Sequence, residues 1–501
     1  MPSRLDISSW VDTLGLLFFL SVYYMLSIKH TSEDHKDMYK VILDKRKDNI
    51  DALYFLKIVD ESDECCFLTG KAGTGKSTLI KDIIDFCKEI GKAPLVLGST
   101  GISALNVGGQ TVHSFFSLGI ENVFPKEIKP YLADKKNRKY KLKKSKIQTL
   151  INVPFVVIDE IGMLNANTID CVDLLMKKYL AKESGDDTLL KKPFGGKPVI
   201  FVGDVFQLPP VSTQERKTKF GEVYASERFF DSMIFKNKLT YQVIELKKNY
   251  RQEYDTFFWD MLDGIRNETI SDYHLALLNK QIGEVALDII LLSTHRWRVD
   301  EVNTRKIQAL PGREYIYEWS TDWFFPDSMK KADMILRLKK WAKVMMVTND
   351  ILGKRINGSM GTVQDLWEDY VDVEIGGEVF MIGVESRENK EIIVSKRGKI
   401  TENILGSYEQ FPLKLAYAIT VHKSQGMTFD ACNLDLCNTF TWGQAYTALS
   451  RSKTLSGITL LNKIERRHLF FHPSIKTFTQ NNPPSSSLQE KDIFDYVHYF
   501  D

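Results

Sequence analysis

Cysteine is scarce in this chain: six residues in 501, at positions 65, 66, 87, 171, 432 and 437, with no CxxC pair. That excludes a disulfide-stapled secreted scaffold and a structural zinc site, and it points to a reducing compartment, nuclear or cytoplasmic. Glycine and proline are also modest, 30 and 15 residues. With 43% hydrophobic and 26% charged residues, the composition excludes collagen-like, low-complexity and globally disordered chains. Excess charge of one sign is missing too. Lys and Arg number 67 against 65 Asp and Glu, so any contact with nucleic acid must come from local basic patches rather than a bulk field. The nine histidines are scattered, with no HExxH or paired-Asp nuclease pattern. Residues Leu14 to Ile28 form an uncharged stretch of fifteen, short of the roughly 20 that a bilayer core asks for. Extended back to Trp10, it reads as a membrane anchor over residues 10–28, as a helix packed on the globular body, or as a dispensable extension.

Length alone predicts about three domains. From Cys65 onward, short β-rich apolar runs alternate with turn signals and helical stretches, the signature of α/β units on a parallel sheet. The expected strands are Cys65 to Leu68, Pro94 to Leu97, Phe155 to Ile158 and Pro198 to Val202. The run Lys135 to Lys146 holds eight Lys or Arg in twelve positions and reads as a solvated insertion. A second β-rich group lies between Gly361 and Phe411, with Gly376-Gly377 as a hairpin turn. After about residue 475, Asn481 to Ser487 is turn- and linker-like, and an aromatic tail from Asp492 to Asp501 follows.

Gly70 to Ser77 matches G-x4-GK[ST], directly after an apolar strand and before a helical run. In that setting backbone N–H groups and a helix N-terminus surround phosphate oxygens, Lys76 meets the β- and γ-phosphates, and Ser77 ligates Mg²⁺. Downstream, Phe155 to Glu160 is a strand ending in two acids. Asp159 is placed to hold the Mg²⁺ shell and Glu160 to orient and deprotonate the attacking water. Phosphoryl transfer also needs positive charge at the γ-phosphate. Arg251 and Arg451 are candidates, though by residue type alone either reads equally as a surface arginine.

Taken in order, these motifs resemble the superfamily 1B DNA helicases, most closely the Pif1-like branch with its RecD and Dda relatives. The resemblance also rests on Ser99 to Leu105 running into Gly108 to Phe115, on Gly203 to Val211, on Asn357-Gly358 with Gly361, on Thr420 to Thr428, and on Gly443 to Arg451. It spans about residues 40 to 470. It implies an α/β fold of two RecA-like P-loop NTPase lobes, with ATP and Mg²⁺ between them and single-stranded or forked DNA across both. By position, Lys76, Asp159, Glu160, Gln207, Arg251 and Arg451 would be catalytic, with Gln207 sensing the γ-phosphate. Gly70, Gly73, Thr74, Gly75, Lys76, Ser77, Thr78, Asn49, Gln425 and Gly426 would contact nucleotide, and Ser77 and Asp159 the metal. Thr100, His113, Thr420, His422 and Lys423 would grip the DNA backbone without reading bases.

The resemblance further implies lobe 1A over residues 37–240 with a wedge inserted at about 117–146, then lobe 2A over 241–475 with an SH3-like β domain at about 361–411. Residues 1–36 would be an extension and 476–501 a flexible tail. The wedge lysines either contact duplex phosphates or form a solvated loop or a nuclear-import signal. The tail either docks on a protein partner or packs on its own surface. One departure stands out: no Gln precedes Gln110, and Asn49 falls where the family's adenine-reading Gln is expected, which predicts a relaxed nucleotide preference. The leading expectation is a monomeric ATP-driven helicase moving 5′ to 3′ in DNA replication, repair or recombination. The alternatives are a translocase that remodels with little unwinding, and a membrane-tethered nucleotide-binding adaptor.

Overall fold

The computed structural model describes residues 64–484, apart from 90, 119–122, 134–139, 211–217, 219, 286–288, 319–320, 324–334, 349–358 and 395–399. Leu14 to Ile28, Asn49, Lys135 to Lys139, Asn357-Gly358 and the aromatic tail lie outside the described residues. Among the described residues no helix is long and apolar enough to cross a membrane.

The first lobe is an all-parallel sheet of β1 (Cys65–Gly70), β2 (Leu95–Gly98), β3 (Gln110–Thr111), β4 (Val156–Asp159), β5 (Val199–Val202) and β6 (Tyr241–Leu246), in the order β3-β2-β4-β5-β1-β6. The four predicted strands are continuous apolar runs because helices cover both faces, and Phe67, Leu97, Ile158 and Phe201 are each at most 1% exposed. Helices α1 (Lys76–Glu89), α2 (Gly101–Asn106), α3 (Val112–Phe115), α4 (Pro125–Ala133), α5 (Lys144–Asn152) and α6 (Ala166–Ser184) connect or follow these strands.

The second lobe is a parallel sheet of β7 (Leu291–Ser293), β18 (Ala418–Thr420), β19 (Cys432–Asp435) and β20 (Ile458–Leu460), in the order β18-β7-β19-β20. Between β7 and β18 the chain builds a β-rich insertion. A five-stranded sheet runs β14-β13-β12-β11-β17, from β11 (Lys343–Met346), β12 (Met360–Leu366), β13 (Tyr370–Ile375), β14 (Glu378–Gly383) and β17 (Leu413–Leu415). Strands β13 and β14 meet at Gly376-Gly377, whose φ of 61° and 87° fit a tight hairpin turn. A long hairpin of β15 (Glu385–Val394) and β16 (Ile400–Gln410) pairs with β9 (Thr321–Trp323), while β8 (Tyr315–Glu318) pairs with β10 (Ile335–Leu338).

Four sequence expectations need correction. The first lobe does not end at residue 240, because β6 pairs in parallel with β1 along its whole length, from Cys65–Tyr241 to Gly70–Leu246. The β insertion is wider than 361–411, since β8, β9, β10 and β11 precede it and β17 follows it. Lys146 is not solvated. It is 6% exposed, its Nζ donates to the Ser114 carbonyl at 2.6 Å, and it lies over the Phe115 ring, so it ties α5 to α3. Residues 476–482 are not a flexible tail. They complete and cap α10 (Pro473–Asn481), whose Phe478 stacks on Phe230 with ring centroids 4.4 Å apart and also meets Phe67 and Phe229. Tyr241 Oη donates to Asn482 Oδ1 at 2.7 Å. The chain therefore returns from the second lobe to the first.

Because Phe478 is half-buried, Phe478→Ala should destabilise the protein by about 1–3 kcal/mol, less than the ~3–5 of a fully buried Phe. The check is the denaturant midpoint; an unchanged midpoint would mean that α10 adds nothing to the first lobe.

Candidate active site

Strand β1 is buried along its length and delivers Gly70 to the first lobe's edge, where α1 begins. Lys76 Nζ donates to the Gly70 and Lys71 carbonyls at 2.7 and 3.0 Å, and burial lowers its pKa from the ordinary lysine value. Ser77 and Thr78 open α1 and are exposed, with Ser77 on the wall of a cleft of about 770 Å³. Gly73 sits at φ 89°, and a Cβ there would stand 2.5 Å from Arg251 Cβ. Only glycine lets the loop and that arginine approach so closely.

Strand β4 ends on Asp159, 3% exposed, followed by Glu160 at a φ of 54°. Both face the same cleft. Burial, and then the adjacent Glu160, push Asp159 up to about 8. Burial also raises Glu160, opposed by the positive charges of Lys76 and Arg451. Two desolvated acids side by side favour a proton or a cation.

After β5, Asp204 is buried at the centre of a small network. It accepts from Gln207 Nε2 at 3.2 Å and from Tyr446 Oη at 3.5 Å, and Arg266 Nε lies 3.9 Å away. Arg266, in α7 (Thr256–Arg266), also donates to Glu245 at 2.7 Å and lies over Phe206. Tyr446 comes from α9 (Gln444–Leu449) of the second lobe and accepts from Ala72 N of the phosphate loop at 3.5 Å. At the start of α9, Gly443 has a φ of 71°, and a Cβ there would be 2.3 Å from the Phe206 carbonyl. The two lobes thus meet backbone to backbone beside Gln207.

Both predicted arginines lie at this junction, though not as two residues of the second lobe. Arg251 follows β6 of the first lobe and reaches across, with Nε donating to Thr428 Oγ1 at 2.8 Å and Nη1 to the Ser450 carbonyl at 2.9 Å. Arg451 belongs to the second lobe and is 1% exposed. It donates to the Thr447 carbonyl and to Ser450 Oγ, each at 2.9 Å. Burial and the neighbouring Arg451 charge hold the Arg251 pKa well below that of an ordinary guanidinium. Burial lowers Arg451 as well, while Glu160 opposes the shift.

Thr100, Thr420, His422, Lys423, Gln425 and Gly426 line the same cleft as Ser77, Asp159 and Glu160. Gln425 Nε2 is enclosed without a hydrogen-bond partner. His113 is not on that wall; it is half-buried on α3, with its imidazole pKa lowered by burial. The sequence reading missed Asp204, Arg266 and Tyr446 as a network. Asp204 and Tyr446 stand inside the quoted motifs, but Arg266 carries no local signal because its partners arrive from other elements.

A family model for PIF1-like helicases matches residues 43–279. The ATP-dependent DNA helicase Pif1 of Bdellovibrio bacteriovorus is 33% identical over 414 residues, covering 80% of this chain and 84% of the relative. The crystal structure of Bacteroides sp Pif1 with ADP-AlF4 is 30% identical, with a TM-score of 0.75 over 86% of this chain and 96% of that one. Bacteroides Pif1 bound to single-stranded DNA gives 0.61 at the same identity and coverage.

The raised Asp159 pKa carries a pH dependence. Between about 4 and 8 the folded protein keeps a proton that the unfolded chain releases, so this group's contribution to stability falls as pH rises through that window. Asp159→Asn removes the effect. In nucleotide-free protein the variant should melt above wild type at pH 8, with the gap narrowing towards pH 4; a gap independent of pH would contradict the assignment.

Proposed function

The chain belongs to the PIF1-like helicase family and is by that membership an ATP-dependent DNA helicase, and we propose that hydrolysis between its two lobes drives 5′ to 3′ movement along single-stranded DNA. The observation that carries hydrolysis between the lobes is the convergence of Lys76, Glu160, Arg251 and Arg451 where they meet; the 5′ to 3′ direction rests on the family likeness alone. Polyphosphate would lie along the backbone of Gly70, Gly73, Thr74 and Gly75 and at the start of α1, with Ser77 and Thr78, while Lys76 leaves its carbonyl partners for phosphate oxygens. Gln425 and Gly426 would reach the nucleotide from the second lobe; Asn49 lies outside the described residues.

A Mg²⁺ ion fits the donor set. Ser77 offers a hydroxyl and Asp159 a desolvated carboxylate, the hard oxygens this cation prefers. Among the described residues no cluster of three or more His, Cys, Asp or Glu could hold a metal unaided, so phosphate oxygens would complete the shell. Bound there, the ion would offset phosphate charge. Glu160, enclosed and beside Lys76, would take the proton of the attacking water. Gln207, tethered to Asp204, would report the γ-phosphate to Tyr446 and the second lobe, and the two arginines would stabilise charge as it develops on the transferred group. Thr100, Thr420, His422 and Lys423 would hold the DNA backbone in the cleft and His113 beside it, with forked DNA as the substrate to be parted.

In a steady-state assay with and without single-stranded DNA, wild type should hydrolyse ATP with strong stimulation by DNA. Lys76→Ala and Glu160→Gln should both lose turnover, with nucleotide binding retained in Glu160→Gln. Arg451→Ala should slow hydrolysis by about 10³-fold or more. A fork with a 5′ tail should be unwound and one with only a 3′ tail should not. DNA-independent hydrolysis, or full activity in Arg451→Ala, would overturn the proposal.

A further inference from the structure

The mouth of the cleft carries aromatic surface that the hydrolytic machinery does not use. Trp297 is 61% exposed and Phe440 60% exposed, and what sets them apart from other exposed rings is that they stand in one row at the cleft. They are joined by His295. Its ring centroid is 5.0 Å from Phe440 and 6.3 Å from Trp297, so the three rings form a row. Phe440 is its inner end, on the cleft wall with Thr294, Arg296, Thr420 and His422. Trp297, in α8 (Arg296–Ala309), is its outer end.

The row is held in place. Gln444 is fully buried; its Oε1 accepts from Phe440 N at 3.2 Å and its Nε2 donates to the Thr294 carbonyl at 3.3 Å. One amide thus pins the loop after β19 to the loop after β7. Thr294 Oγ1 lies 2.8 Å from His295 Nδ1 and fixes the middle ring. The acids nearby are matched by arginines: Asp300 pairs with Arg296 at 3.5 Å, and Arg298 with Glu301 at 2.8 Å and Asp435 at 3.7 Å. The rings therefore do not face an unpaired negative field that would repel a polyanion.

We propose that Phe440, His295 and Trp297 form a stacking platform for the bases of the single strand as it passes the mouth of the cleft. This rests on the reading of the cleft as a DNA channel and adds to it a contact with bases rather than phosphates. An aromatic face accepts any base, so the platform grips without selecting sequence, as a translocating motor needs. It is continuous with the backbone-binding hydroxyls of Thr100 and Thr420. Gln444 also begins α9, the helix that precedes Arg451, so movement of Arg451 with its helix would move the platform.

The test uses the full chain and fluorescent oligothymidylate, with an otherwise identical oligonucleotide carrying abasic sites. Trp297→Ala and Phe440→Ala should each weaken binding by about tenfold, with the slope of affinity against salt unchanged because no phosphate contact is lost. Wild type should discriminate against the abasic strand, and the two alanine variants should discriminate less. Trp297→Phe, which keeps a ring, should restore most of the affinity. Wild-type affinity in both alanine variants, or an equal loss on normal and abasic strands with a changed salt slope, would overturn the platform. If wild type bound neither oligonucleotide while hydrolysing ATP, the DNA channel itself would fail and the platform with it.

Discussion

Two guanidinium groups enclosed side by side, with no carboxylate within ion-pairing distance among the described residues, set the terms for the rest of this molecule. Arg251 and Arg451 spend their donors on neutral oxygens of Thr428, Thr447 and Ser450. Each is disfavoured as a cation by burial, and Arg251 by its partner as well. Burying positive charge without a salt bridge is costly, and Glu160 offsets only part of that cost at Arg451. The charge that would relieve it is an anion entering between the lobes, and Lys76 and the phosphate loop stand where such an anion would sit. Opposite them, Asp159 and Glu160 are desolvated acids with the complementary need for a cation. On the proposed reading, magnesium triphosphate would supply both signs at once.

The surrounding structure reads as what is required to bring these charges together from distant parts of the chain. Parallel strands end on one side of each sheet, so the phosphate loop, Asp159, Asp204 and Thr420 all emerge at the carboxyl ends of strands. Close approach is permitted at Gly73 and Gly443, where any side chain would strike Arg251 or the Phe206 carbonyl. The direct links between the lobes are short at Arg251, which donates to Thr428 Oγ1 and the Ser450 carbonyl at 2.8 and 2.9 Å, and long at Tyr446. Tyr446 Oη is 3.5 Å from both Ala72 N and Asp204 Oδ2, near the limit of a useful hydrogen bond. The long Tyr446 contacts can rearrange at low cost, while α10 ties the end of the second lobe to the first.

Much of this was legible in the sequence for physical reasons. Strands buried on both faces appear as continuous apolar runs, and β1, β2, β4 and β5 fall within a residue or two of where those runs lie. The strand before Gly70 and the helix from Lys76 were legible because an apolar run and a helical run flank the glycine-rich segment. What escaped depends on long-range pairing. Strand β6 looks like the start of a second lobe until its register with β1 is known. Lys146 vanished into the average of a lysine-rich run, although one buried lysine can satisfy a backbone carbonyl. Residues 476–482 lie beside the linker-like run Asn481 to Ser487, yet Phe478 completes an aromatic cluster of the first lobe. Arg266 and the Phe440–His295–Trp297 row carry no motif, since each exists only after folding joins separate segments.

The most direct test of stored charge at the lobe junction is the thermal midpoint of wild type and Arg451→Met, measured without nucleotide, with magnesium diphosphate, and with a non-hydrolysable magnesium triphosphate. Replacing a buried, unpaired cation by an apolar group of similar length should leave the free protein as stable or more stable. It should also remove the extra stabilisation that triphosphate gives over diphosphate. A free Arg451→Met protein that melts well below wild type, yet keeps the full preference for triphosphate, would contradict the account.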